Sequence, residues 1–163
     1  MSNFVGDAPV AADPSLHQDL IGLVGLFEHG RTQLADEART HSAAALRIVS
    51  AMIDQAAVLA DRHGLALSEE LLTEGAAVCG GVQEFQRQTR GSGWFGRRGP
   101  SLAPGSKERR QAFANLADKA VALLGRFLAE FESQLDSATT RDAWAGAYRA
   151  FLEEMRQALQ IPG

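Results

Sequence analysis

Seven basic residues lie between Glu84 and Arg110: Arg87, Arg90, Arg97, Arg98, Lys107, Arg109 and Arg110. Only Glu84 and Glu108 oppose them. The local balance is +5 in a chain whose formal net charge is −4, so the charge is distributed unevenly. Gathered at one place, such side chains hold phosphate, an acidic protein, nucleic acid or an anionic lipid surface. Trp94 and Phe95 stand in the middle of this segment, between two stretches of helical pattern. The expected partner-binding set is therefore Trp94, Phe95, Arg97, Arg98, Lys107, Arg109 and Arg110. A partner protein is the leading expectation, with an anionic ligand, nucleic acid or lipid as the others.

A second chemistry is written on the helical stripes. His41 falls between Ala38 and Ala45 on an otherwise apolar row, where an imidazole can ligate, titrate or bond a neighbour. Cys79, Trp144 and Tyr148 lie on the third and fifth helical stretches. Together these four residues define the alternative: a sensory bundle, globin-like in length and helical pattern, binding a small molecule or cofactor on the His41 face. Cys79 by itself reads as a buried small hydrophobe rather than a nucleophile.

Other chemistries lack their residues. Carboxylate-bridged metal bundles need Glu-x-x-His pairs, and the nearest approach is Glu37 with His41 four positions on. His17, His29, His41 and His63 are too scattered to form a ligand set, and one cysteine makes neither a disulfide nor a zinc motif. There is no Gly-x-Ser-x-Gly elbow. The glycines of 91–96 follow no strand, so they match neither phosphate-binding fingerprint. The acidic pairs Asp36-Glu37, Glu69-Glu70 and Glu153-Glu154 occupy polar helix positions as solvated faces. No metal, cofactor or catalytic residue is assigned, and a non-enzymatic role is expected.

The elements that must position these residues follow from hydrophobic period. With 163 residues and 22% charged residues, one domain with a substantial core is expected. Residues 1–12 read as a flexible tail and 13–163 as a single domain. Asp13-Pro14 marks a helix start, because Asp accepts free N–H groups and Pro lacks the one it would waste. The first helix then covers 14–28, and His29-Gly30 ends or kinks it. A second covers 31–62, on the rows Leu34, Ala38, His41, Ala45, Ile48, Met52 and Ser42, Leu46, Val49, Ile53. His63-Gly64 closes it. Ser68 opens a third helix, thinned by Gly75, Gly80 and Gly81 and closed by Gly91. Residues 91–105 form a long loop rich in Gly, Arg and aromatic residues. Ser106 caps the fourth helix, 107–136, and Thr139 or Thr140 opens the fifth, 140–160. No segment alternates with the period of a strand.

The expected fold is all-α: an antiparallel helical bundle of four long helices plus an N-terminal helix, with shallow crossing angles. Trp94-Phe95-Gly96 spells the Trp-x-Gly turn of small secreted helical-hairpin proteins. Those chains carry a tight turn and a C-terminal Tyr-x-x-x-Asp/Glu, whereas Tyr148 is followed at that offset by Leu152, and the chain is not assigned to them. Without a basic N-terminal region leading into an apolar run, no signal peptide is read, and no uninterrupted span long enough for a bilayer is seen. Cytoplasmic placement is the expectation, with leaderless export leaving no mark. The Leu20–Phe27 segment is apolar around much of its circumference, which fits core packing or a homo-oligomer face. Arginine outnumbers lysine fourteen to two, as in proteins of GC-rich bacteria.

Overall fold

The computed structural model describes residues 4–90 and 102–160. Among these residues all regular structure is helical: α1 (Phe4–Arg39), α2 (Ala43–Arg62), α3 (Glu69–Arg90), α4 (Lys107–Ser133) and α5 (Ala138–Leu159). α2 packs on α1, α3 and α4; α4 packs on α2, α3 and α5; and α1 closes on α5. The two centrally placed helices carry the widest apolar faces. On α2, Ala45, Leu46, Val49, Ile53, Ala56 and Ala60 are buried. On α4, Phe113, Ala117, Ala120, Leu124, Phe127 and Phe131 recur at four- and three-residue steps, and all are buried. Each fully buried Phe or Leu stabilises the fold by about 1.5–3 kcal/mol.

Contacts between side chains fix how neighbouring helices run. Asp19, near the middle of α1, accepts from His63 Nε2 at 2.7 Å beyond the end of α2. Arg126 of α4 reaches Glu74 at 2.6 Å, while Leu116 meets Gly81. Trp144 donates to the Leu128 carbonyl at 3.2 Å, and Arg156 reaches Asp118 at 3.6 Å. Each helix therefore doubles back on its predecessor across these three hairpins. α2 and α4 run in the same direction, since His41 lies on Phe113 and Ala66 exchanges backbone bonds with the Gln134 amide. The Arg31–Glu154 ion pair joins α1 to α5.

The caps explain most of the boundaries. Ser68 Oγ accepts from Leu71 N at 3.1 Å and Ser106 Oγ from Arg109 N at 3.1 Å, as their residue types predict. Gly64 takes φ of 65° after α2, with Leu65 N bonded back to Ala60 O at 2.8 Å. That is the Schellman closure expected of a glycine there.

Several boundaries differ from the sequence expectation. α1 begins at Phe4, ahead of the expected start, so residues 4–12 have helical backbone and Asp13-Pro14 lies inside the helix. A proline forgoes one backbone bond but leaves the ladder free to resume beyond it. α1 also continues through Gly30 to Arg39. A glycine costs a helix about 1 kcal/mol, which the burial of Leu23, Leu34 and Ala38 on either side outweighs. The chain breaks instead at Thr40-His41-Ser42, where Ser42 Oγ caps α2 through Ala44 N at 3.1 Å. α5 opens at Ser137, whose Oγ accepts from Thr140 N at 3.3 Å, placing Thr139 and Thr140 in its first turn. α2 has the length and apolar composition to cross a membrane, where none was read from the sequence. Its four charges, Arg47, Asp54, Asp61 and Arg62, sit away from the row that forms the core.

Gly75 supplies the α3 surface on which the Phe127 ring rests. A Cβ there meets Phe127 at 3.6 Å and Ile53 Cγ2 at 3.7 Å, ordinary contact distances. Gly75→Ala is expected to stabilise the protein by about 0.5–1 kcal/mol through helix propensity. Gly75→Leu overpacks the same spot and is expected to cost about 1–3 kcal/mol. Denaturant unfolding measures both, and a destabilised Gly75→Ala variant contradicts the packing described.

The Asp19–His63 bond holds the Asp19 carboxyl below the usual carboxylate range. The hydrogen bond is the larger cause, followed by burial acting in opposition and then by the charges of His63 and Arg62. A depressed carboxyl contributes stability above its unfolded pKa of about 3.9, lost as pH falls through its lower folded value. The stability difference between the wild type and Asp19→Asn should therefore be full near pH 5 and shrink below pH 4. Unfolding curves across that range test this; a gap that widens on acidification contradicts it.

Candidate functional site

The α3–α4 junction and the α1–α2 turn share one end of the molecule. Arg87 and Arg90 stand in the last turn of α3, and Lys107, Arg109 and Arg110 in the first turn of α4. Leu102 N bonds Gln88 O at 3.1 Å, tying the chain that enters α4 to the end of α3. Arg109 Nε donates to the His41 carbonyl at 3.1 Å, so one guanidinium links α4 to the turn between α1 and α2. Lys107 and Arg110 are exposed. Of the carboxylates within 84–110, Glu84 is engaged by Arg87, which leaves Glu108 facing the remaining cations.

His41 occupies an uncommon backbone position. Its φ is 55°, in the left-handed region. His41 N bonds Ala38 O at 3.0 Å and Ser42 N bonds Glu37 O at 3.1 Å. These two bonds are the Schellman pair that ends α1, with histidine where glycine usually sits. The ring packs edge-on against Phe113, centroids 5.3 Å apart. Burial, followed by the Arg110 and Arg109 charges, lowers the His41 pKa below the ordinary histidine value. The imidazole is therefore neutral at pH 7 and senses a positive field from α4. Beside it is a depression of about 350 Å³ whose floor includes Phe113 and Leu159 and whose rim includes Asn115, Asp118 and Gln160.

The residues of the alternative set do not converge. Trp144 is fully buried, its Nε1 bound to Leu128 O. Tyr148 OH donates to Glu132 Oε1 at 2.8 Å, with Arg149 5.8 Å above the ring. Its phenol is pushed above the usual range, chiefly by burial and then by Glu132. Both sit beside the C-terminal half of α4, four to five turns from Phe113. Cys79 lies between α2 and α3, its Sγ 3.6 Å from Asp54 Oδ1. Burial first, then the Asp54 carboxylate, push its thiol up to about 11. A thiol in that state holds its proton at neutral pH and is a weak nucleophile. Among the described residues no group of three His, Cys, Asp or Glu side chains is placed to hold a metal ion.

Of the expected partner-binding set, Lys107, Arg109 and Arg110 are brought together. Trp94, Phe95, Arg97 and Arg98 lie outside the described residues. Sequence reasoning missed the join between Arg109 and the His41 carbonyl, because the two are 68 residues apart and nothing local signals it. It also placed His41 on a helical row. The three- and four-residue steps Ala38-His41 and His41-Ala45 keep helical phase across the break, which conceals it. Comparisons with protein-family models, with curated proteins and with solved structures find no match.

The lowered His41 pKa has a definite sign. A histidine harder to protonate when folded contributes stability above its unfolded pKa, near 6.5, and that contribution is lost as pH falls from there to the folded value. Wild-type stability should therefore decline below pH 6.5. His41→Asn, which tolerates the left-handed backbone, should flatten that portion of the curve. His41→Val, branched at Cβ, should be about 1–2 kcal/mol less stable than His41→Asn at every pH. Thermal melts between pH 5 and 8 separate the three chains; an unchanged slope in His41→Asn contradicts the assignment.

Proposed function

We propose that this protein is a non-enzymatic interaction module, an antiparallel helical bundle with one long inter-helix connection, that holds an acidic protein partner through its 91–110 segment. The observation that supports this most is the clustering at one end of Arg90, Lys107, Arg109 and Arg110, close enough to His41 for Arg109 and Arg110 to disfavour its protonation. Cations that repel one another this way gain most when carboxylates approach. The first turn of α4 adds backbone N–H groups and the positive end of the helix dipole, both favouring negative charge. Arg109 is held by the His41 carbonyl, so part of the guanidinium array is organised before a partner arrives and loses less side-chain freedom on binding.

Trp94, Phe95, Arg97 and Arg98 extend this surface in the proposal, adding aromatic area and two further guanidinium groups. The small-molecule reading receives less support. Trp144 and Tyr148 spend their polar atoms on Leu128 and Glu132, and they lie far along α4 from His41.

A fluorescently labelled polyglutamate peptide serves as the probe. Lys107→Glu combined with Arg110→Glu should weaken its binding at least about tenfold, and rising salt should weaken binding to the wild type. Equal binding by wild type and double variant contradicts the proposal. So does binding of duplex DNA or anionic vesicles with none of the peptide.

A further inference from the structure

The outer side of the α3–α4 pair carries a trough. Three depressions, of about 360, 260 and 470 Å³, follow one another along it. The first two share Lys119 in their walls, and the second and third share Ala112 and Asn115. One wall is the α3 row Glu74, Ala77, Gly81, Glu84 and Gln88; the other is the α4 row Ala112, Asn115, Lys119, Ala122 and Arg126. Both rows step by three and four residues, the repeat by which one helix packs into another. From Glu74 to Gln88 the trough is about 21 Å long at 1.5 Å per residue.

Its floor and its walls have different characters. Ala77, Gly81, Ala112 and Ala122 are small, and Val78 and Leu116 are half-buried beneath them. The charged residues of the α3 wall are Glu74 and Glu84, both acidic. Those of the α4 row are Lys119 and Arg126, both basic. Glu74 and Arg126 are level with each other, as their 2.6 Å bond shows. Lys119 borders the same depression as Glu84. Among the described residues no carboxylate lies within ion-pair distance of Lys119, although Arg87 holds Glu84 and Arg126 holds Glu70 and Glu74.

Along the first two depressions one wall is acidic and the other basic, and such a surface complements itself. We propose that the trough is the interface between two copies of this chain, related by a two-fold axis running along the trough. That axis sets the α3 wall of one copy against the α4 wall of the other, level by level. Glu74 then faces Arg126 of the second copy, the long Lys119 side chain reaches about one turn along the trough to its Glu84, and the small residues between allow the four helices to approach closely. The other plausible two-fold axis, perpendicular to the trough, stacks α3 on α3 and opposes glutamates to glutamates. The trough runs up to the basic end, whose Lys107 borders the third depression, but Glu74, Glu84, Lys119 and Arg126 are not among the residues proposed to hold the acidic partner, so either interface can fail without the other.

Analytical ultracentrifugation of the full chain at micromolar concentration tests it. The wild type should sediment as a dimer. Lys119→Glu or Glu84→Lys alone should weaken dimerisation at least about tenfold, because each sets like charges opposite one another. The double variant, Glu84→Lys with Lys119→Glu, should restore the dimer. Circular dichroism melts check that each exposed-site variant retains its fold, and the polyglutamate assay on the same variants reports the basic end independently. A monomeric wild type overturns the proposal. So does a dimer indifferent to both single changes, or a folded double variant that stays monomeric.

Discussion

The side-by-side packing of α2 and α4 is the constraint on which the rest of the molecule depends. These two helices share the core, and every other described helix leans on at least one of them. Both helices bury small residues: Ala45, Ala56 and Ala60 on α2 and Ala117 and Ala120 on α4 are buried to 2% exposure or less. Small residues at these points let the backbones come near, and Phe113, Phe127 and Phe131 fill the wider gaps between. Because α2 and α4 run in the same direction, the start of α2 and the start of α4 lie at one end. That juxtaposition brings the His41 turn to Arg109 and makes the basic end a joint property of three helices rather than of one loop.

Arg109 ties the two central helices at that end. Its hydrogen bond to a carbonyl in a Schellman turn is charge-assisted, and such bonds are stronger than neutral ones. The same residue contributes to the positive field felt by the His41 ring. Structural and electrostatic roles thus coincide in one side chain. At the far end of α2, Asp19 and His63 bind α1 to its neighbour, and Gln134 clasps the backbone of Ala66. Polar clamps at both ends leave the middle to apolar packing.

Most of the helical content was legible from the sequence because its signals are local. Ser68, Ser106 and Gly64 act at the caps where their chemistry leads one to expect them. The row from Phe113 to Phe131 announces its own buried face. The α1–α2 break was hidden for a physical reason. Histidine holds the left-handed position that glycine normally marks, Ser42 lacks a glutamate three residues on, and the apolar rows keep phase across the turn. Gly30 misled in the opposite sense, since a lone glycine terminates a helix only where packing does not carry the chain onward. At the candidate site the charge cluster was visible, but its link to His41 depends on tertiary packing. The separation of Trp144, Tyr148 and Cys79 from His41 was equally invisible, because helical periodicity states which face a residue occupies and not how far along the bundle it lies.

In the proposed function, carboxylates of a partner approach the end where Arg109 and Arg110 meet His41. Histidine ring resonances, followed by NMR through a pH titration with and without saturating polyglutamate peptide, test it most directly. Bound carboxylates should offset the two guanidinium charges, so that the His41 pKa rises towards the ordinary histidine value. A bound peptide that leaves the His41 titration unmoved contradicts it.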